Sequence, residues 1–369
     1  MNRLFRWDQM GLFLLALAAG ILPFAVPEVC AAALREGLTL CSGPLLLSLF
    51  PFLVVSRLLI QCPESDLLAM PFRLAAWGIG IRTPCAARVL CIGFLGGFAP
   101  AASAAAQAVR TGQLTAEEAD ALLPACICSG PSFVVLTVGQ SLLGSAELGV
   151  LLFASQITAN YLTAALLNRF AGVRSIKPGS AAPASPAPPR LDEILADAAI
   201  TYCKLCGFIL FFRMLAAGAG ALLPAGAGTL CAILLEVCSG CDLASRTGRW
   251  GSLLCCAALS VQGLSVLLQV RTICPPEMTL RPLYRARMLH LPLSLALFYL
   301  LLPGGEADVF SNLPARVLLM RRVPPDCALL VFAVCCMAAC TLRSGIRQVE
   351  QKQMARNAGG CCINSKTLL

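Results

Sequence analysis

One feature constrains this chain more than any other: apolar runs without Asp, Glu, Lys or Arg recur along it at membrane-spanning length. They occupy 10–27, 37–56, 89–109, 121–146, 148–168, 214–235, 250–270 and 288–305. About 20 apolar residues suffice for a helix to cross the hydrocarbon core of a bilayer. Lipid satisfies no backbone N–H or C=O, so runs of this kind fold as helices. Only 13% of the 369 residues are charged, against about 25% in soluble domains. The expectation is an all-α polytopic membrane protein seated in a lipid bilayer.

The remaining composition fits that class. Arg3 and Arg6 precede the first apolar run, no clean small-residue cleavage motif follows, and many spans come after. The run therefore reads as a retained first helix rather than a signal peptide. The net charge of +9 comes mainly from Lys and Arg between spans and near the C-terminus, where orientation signals belong. No nucleic-acid partner is implied. The 21 cysteines include Cys203-Lys-Leu-Cys206 and Cys238-Ser-Gly-Cys241. Structural zinc needs four converging ligands, and these thiols sit among Ala, Leu and Val as small hydrophobes. No metal and no cofactor is expected. There is no P-loop, no GxGxxG opening a helix, and a single histidine, His290; nothing points to an enzyme.

Basic residues set the predicted topology. Arg57, Arg73, Arg82 and Arg88 mark one cytoplasmic loop, and Arg169, Arg174, Lys177 and Arg190 mark another. Three apolar runs lie between them, so one must enter and leave on the same side. The run 89–109 contains GFLGGFAPAAS, where Gly93, Gly96, Gly97 and Pro100 interrupt a helix. It is predicted to be a re-entrant hairpin. The same parity problem between 191 and the basic loop Arg271, Arg281, Arg285 and Arg287 assigns a second re-entrant segment near 214–245, around LLEVCSGCDLAS. The total is about eight transmembrane helices plus two re-entrant broken-helix hairpins.

The two halves match in order and have opposite predicted orientations. Such inverted repeats with paired broken helices build many secondary transporters, with the substrate at the midplane. Residues 1–36 are an N-terminal transmembrane helix and outer loop, and 37–170 a first repeat. The Pro/Ala/Ser run KPGSAAPASPAPPR belongs to a cytoplasmic linker at 171–190. Residues 191–302 are the second, inverted repeat. An outer loop and last transmembrane helix fill 303–342, and 343–369 are a cytoplasmic basic tail. Thr115-Ala-Glu-Glu starts a helix, expected to lie on the membrane surface.

Four clusters are candidate substrate-binding residues, because half-helix N-termini and small side chains let a solute reach backbone donors. The first is Gly97, Pro100, Ser103 and Gln107. The second is Ser129, Gly130, Pro131 and Ser132. Glu236, Ser239 and Asp242 form the third, and Gln262, Gly263, Ser265 and Gln269 the fourth. An ionisable group within a span usually serves function, which favours Glu236 as a pathway residue over a carboxylate at a helix end. Asp242 stands evenly between pathway and polar loop. Gln156 and Asn160, on an intervening span, are taken as helix-packing contacts.

GFLGGFAPAAS followed by AVRTGQLTAEEADALLPACICSGPSFVV resembles the YlbJ-type sporulation integral membrane proteins. Those belong with the nucleoside-recognition Gate-domain proteins. Gly96, Gly97, Pro100, Gly112, Leu114, Thr115, Glu118, Ala119, Ser129, Gly130 and Pro131 occupy the pattern. LLEVCSG and QGLSVLLQV add Glu236, Gly240, Gly263, Leu264, Ser265 and Gln269. The resemblance runs from about 34 to 269. Phe98-Ala99-Pro100 stands where the family has Gly-Tyr-Pro, and Cys126 and Cys128 replace more polar residues.

The resemblance implies an architecture similar to concentrative nucleoside transporters. It also implies a task in endospore formation: moving dipicolinic acid out of the mother cell toward the forespore. The expected place is the cell membrane, specifically the outer forespore membrane facing the mother cell, with both termini cytoplasmic. A coupling ion, Na+ or H+, and a homo-oligomer are further expectations. Two alternatives stand beside this one: a carrier of nucleosides or another metabolite, and a non-transporting scaffold of sporulation proteins.

Overall fold

The computed structural model describes residues 2–61, 65–171 and 190–302. Apart from its two end residues, the 171–190 linker lies outside them. So do the loop, last span and tail assigned to 303–342 and 343–369.

Among the described residues every regular element is helical. The order begins α1 (Asn2–Ala25), α2 (Pro27–Ser42), α3 (Pro44–Gln61), α4 (Ser65–Leu68), α5 (Met70–Gly78), α6 (Pro84–Gly96), α7 (Phe98–Arg110) and α8 (Ala116–Cys126). A π-helix (Ser132–Leu142) follows, then α9 (Ala146–Ala171), α10 (Leu191–Leu222), α11 (Ala225–Leu235) and α12 (Val237–Ser245). After a short 3-10 turn come α13 (Gly251–Val261), α14 (Gly263–Ile273) and α15 (Arg281–Leu301). Four stretches are long and apolar enough to cross a bilayer: Pro27–Ile60, α9, α10 and Gly248–Ile273. Four shorter helices are equally apolar, among them α6, α11 and the π-helix. The described residues form an all-helical protein of membrane-spanning composition.

Local sequence explains most helix ends. Prolines sit in the first turns of α2, α5, α6 and α15, where the missing N–H costs nothing. Thr115 and Glu118 form a reciprocal cap at the start of α8: the Thr115 hydroxyl accepts from Glu118 N at 3.1 Å, and the Glu118 carboxylate accepts from Thr115 N at 3.1 Å.

Three expectations need correction. First, α8 is not a surface helix: every residue from Glu118 to Cys126 is buried. Two of its three acidic side chains, Glu118 and Asp120, serve protein donors instead of water, while Glu117 is exposed. Glu118 also accepts from the Thr83 hydroxyl at 2.6 Å. Asp120 accepts from Thr279 N, the Thr279 hydroxyl and Leu280 N at 2.8, 2.7 and 3.1 Å, fixing the 274–280 connection. Second, much of the outer loop expected before residue 37 is helical, because α2 starts at Pro27 directly after α1. Third, α10 continues unbroken for 32 residues, so 214–222 belong to it. The second interrupted segment begins only after Pro224.

Two pairs of helices fold back on themselves. A Cβ added to Gly93 would lie 3.2 Å from the Cβ of Ala101, yet eight residues span about 12 Å along a straight helix. So α7 returns along α6, turning at Gly97. Likewise a Cβ on Gly240 would lie 2.8 Å from Cα of Ile233, and α12 returns along α11, turning at Glu236. Two other interruptions keep the chain moving onward. Residues 127–130 separate α8 from the π-helix, and Gln262 alone separates α13 from α14. Small residues allow the closest packing: a Cβ on Gly149 of α9 would stand 2.8 Å from Cα of Val135 in the π-helix.

Candidate substrate site at the helix breaks

The four breaks meet in pairs. Gly97 has φ 82° and ψ −163°, a region in effect open to glycine alone. A Cβ there would lie 2.6 Å from Gly130 N and 2.9 Å from its Cα. The first fold-back tip therefore rests on the backbone of the 127–130 break. Gly263, at φ 68°, would place a Cβ 2.9 Å from both Glu236 N and the Leu235 carbonyl carbon. The α13–α14 break thus rests on the second tip.

The tips differ chemically. No side chain caps α7 at Gly97. At α12 the Glu236 carboxylate is the cap, accepting from Cys238 N at 2.9 Å and Ser239 N at 2.7 Å. Glu236 is 1% exposed. A buried carboxylate is tolerated there because backbone donors and the positive end of the helix dipole both face it.

Between the paired breaks lies a narrow pocket of about 50 Å3, room for a few waters in this arrangement of the helices. Gly96, Ser129, Gly130, Ser132, Glu236, Cys238 and Gln269 line it, closed by apolar side chains of α3, α7, α10 and α14 such as Leu49, Phe98, Ile209 and Val266. Of the sequence-predicted residues, Ser129, Gly130, Ser132, Glu236 and Gln269 thus converge. Gly97, Pro131, Gln262 and Gly263 stand at the breaks that frame them, and Pro100 and Ser239 lie in the first turns of α7 and α12. Ser265 orients Gln269, accepting from its Nε2 at 2.8 Å.

Two amides stand out. Gln262 holds a left-handed conformation, φ 64°, which costs a side-chain-bearing residue about 1–2 kcal/mol. It is 1% exposed, and neither polar atom of its amide has a protein partner. The Gln269 Oε1 is likewise buried and unpartnered. Buried polar groups left unbonded cost about 1–3 kcal/mol each. Gln269 lines the pocket, where a donor on a bound solute would complete its bonding; Gln262 lies at the α13–α14 break outside the pocket lining.

Three predicted residues lie elsewhere. Ser103 lines a separate cavity of about 190 Å3 with Arg57, Arg110, Lys204 and Asp197. Arg57 pairs with Asp197 at 2.8 Å, so cations outnumber carboxylates there. Asp242 lines a third cavity of about 330 Å3 with Glu36, Arg213 and Arg246. Its ion pairs are Glu36–Arg213 and Asp242–Arg246, both at 2.7 Å. Gln107 lines none of the three. All three cavities touch α10: the basic one near Asp197–Lys204, the central one at Ile209, the third at Arg213. Asp197 and Arg213 are about 24 Å apart along the helix axis.

Sequence reading missed the most buried basic side chain among the described residues. Arg287, assigned to a cytoplasmic loop, is 7% exposed. It donates to the Ile127 carbonyl at 2.8 Å, the Ser260 carbonyl at 3.3 Å and Asn160 Oδ1 at 3.3 Å. Asn160 Nδ2 also donates to the Ile127 carbonyl, and Gln156 Nε2 to the Ser260 hydroxyl. His290 Nε2 meets the Gln156 carbonyl at 3.2 Å. The signal was present: Arg287, His290 and Ser294 share one face of α15. Among the described residues, no three His, Cys, Asp or Glu side chains converge as a metal set.

Searches against known protein families, curated proteins and solved structures match this chain to none of them.

Proposed function

We propose that this protein is a membrane carrier for a small organic anion, which alternates access to the pocket at the helix breaks. The observation that carries the reading is that three helix interruptions and the helix α14 that follows the fourth line one pocket, between two cavities with charged linings strung along α10. Interrupted helices at membrane depth persist only where protein or a wet cavity satisfies their backbone. Carriers place their substrate at such breaks.

The order of elements supports an inverted repeat. α3, the α6–α7 fold-back, the interrupted α8–π-helix pair and α9 parallel α10, the α11–α12 fold-back, the interrupted α13–α14 pair and α15. On this reading the chain makes about eight spans, with both termini cytoplasmic. The excess of Arg57, Arg110 and Lys204 over Asp197 favours an anion at one mouth of the path. The resemblance to the YlbJ-type proteins adds the cargo and the setting: dipicolinate, moved from the mother cell across the outer forespore membrane.

Glu236 favours a second cargo. A carboxylate lining the pocket repels an anion and accepts from hydroxyls, which suits a nucleoside. Uptake of radiolabelled dipicolinate into proteoliposomes, beside empty liposomes, tests the first reading; competition by unlabelled nucleosides tests the second. Glu236→Gln discriminates further. It strengthens binding of an anion and weakens binding of a solute that donates to the carboxylate. Absence of saturable uptake of either solute by folded protein would leave the scaffold.

A further inference from the structure

We propose that the Arg287 guanidinium is the built-in occupant of a monovalent-cation site at the crossing of the two interrupted spans. Three oxygens face it: the carbonyls of Ile127 and Ser260 and the side-chain oxygen of Asn160, at 2.8, 3.3 and 3.3 Å. The two carbonyls belong to helix ends. Ile127 caps the C-terminus of α8, and Ser260 lies in the last turn of α13. Each helix C-terminus carries about half a negative charge, so the two together match one guanidinium.

No carboxylate takes that role. Among the described residues Arg287 forms no ion pair, and a buried cation without compensation is strongly disfavoured. Asn160 fixes the arrangement, since its Nδ2 donates to the same Ile127 carbonyl at 3.2 Å. The oxygen set is of the kind that holds a hard alkali cation, but the tethered charge fills it. A free sodium ion therefore finds no room at this crossing. If the carrier reading holds, solute movement needs no sodium bound here.

The test is thermal melting of the purified full chain in detergent, in sodium, potassium, lithium or choline chloride at one ionic strength. Wild type and Arg287→Lys are expected to melt at the same temperature in every salt. Arg287→Ala is expected to melt lower in choline and to recover saturably as sodium or potassium is added, as a vacated site refills. A saturable, cation-specific shift in wild type would overturn the proposal. So would Arg287→Ala that ignores the cation, whether folded or unfolded in every salt, or Arg287→Lys that responds as strongly as Arg287→Ala. Melting requires no transport, so its outcome and that of the uptake assay fail independently.

Discussion

The tips at Gly97 and Glu236 face the same difficulty and resolve it differently. Each is a sharp reversal of chain in apolar surroundings, and each starts a helix whose first N–H groups lack intrahelical partners. At Glu236 the chain supplies its own anion, bonded to Cys238 N and Ser239 N. At Gly97 it supplies only a conformation that larger residues cannot adopt. The second tip is electrostatically complete, whereas the first is left open to whatever lies beside Gly130. The difference teaches that the two halves of a pseudo-symmetric site need not bind alike. In the carrier proposed above, the bare tip recognises the anionic end of the solute and the capped tip its donors.

The largest expected effect is at the bare tip. Gly97→Ala combines a forbidden backbone region with a clash against Gly130, costing about 3 kcal/mol. The thermal melt should drop steeply and solute uptake disappear. An alanine there with a normal melt would show that the tip is not fixed by its conformation. Next comes Glu236→Ala, which strips the cap from α12 and should cost about 2 kcal/mol; melting beside Glu236→Gln separates loss of the cap from loss of charge.

Gln262→Gly runs the other way. Relieving the left-handed backbone should raise stability by about 1 kcal/mol, while equilibrium binding of the solute weakens as the amide is lost. A variant that gains stability and keeps affinity would reduce Gln262 to a strained hinge. Smallest is Ser129→Ala, with stability changed by less than about 0.5 kcal/mol. Solute affinity should fall by about 1 kcal/mol if its hydroxyl bonds the cargo, as a binding isotherm would read.

What the sequence announced and what it hid follow from physical causes. Gly97 was legible because glycine and proline have no ordinary place inside an apolar span. Glu236 was legible because an unpaired carboxylate is costly there, and only the structure revealed that it caps a helix. α8 was misplaced because Glu117, Glu118 and Asp120 look like a wetted face, although Glu118 and Asp120 bind protein donors at long range. Arg287 was hidden by position: basic residues at the start of a span signal a loop, and only tertiary packing buries this one. The break at Gln262 carries little compositional warning beyond Gly263, since glutamine in a left-handed conformation depends on its surroundings.

The 32 residues of α10 extend about 48 Å, and this single rod forms part of the wall of every chamber described. A wall common to all three chambers is the natural fixed reference for motion between them, and on the carrier reading proposed above it is not the gate. In a protein that alternates its openings, α10 is the stationary frame and the folded-back pairs are what travel. Distances from labels at Asp197 and Arg213 to either tip would then read out the state of the molecule directly. One would lengthen as the other shortened, while the separation between the two labels stayed constant.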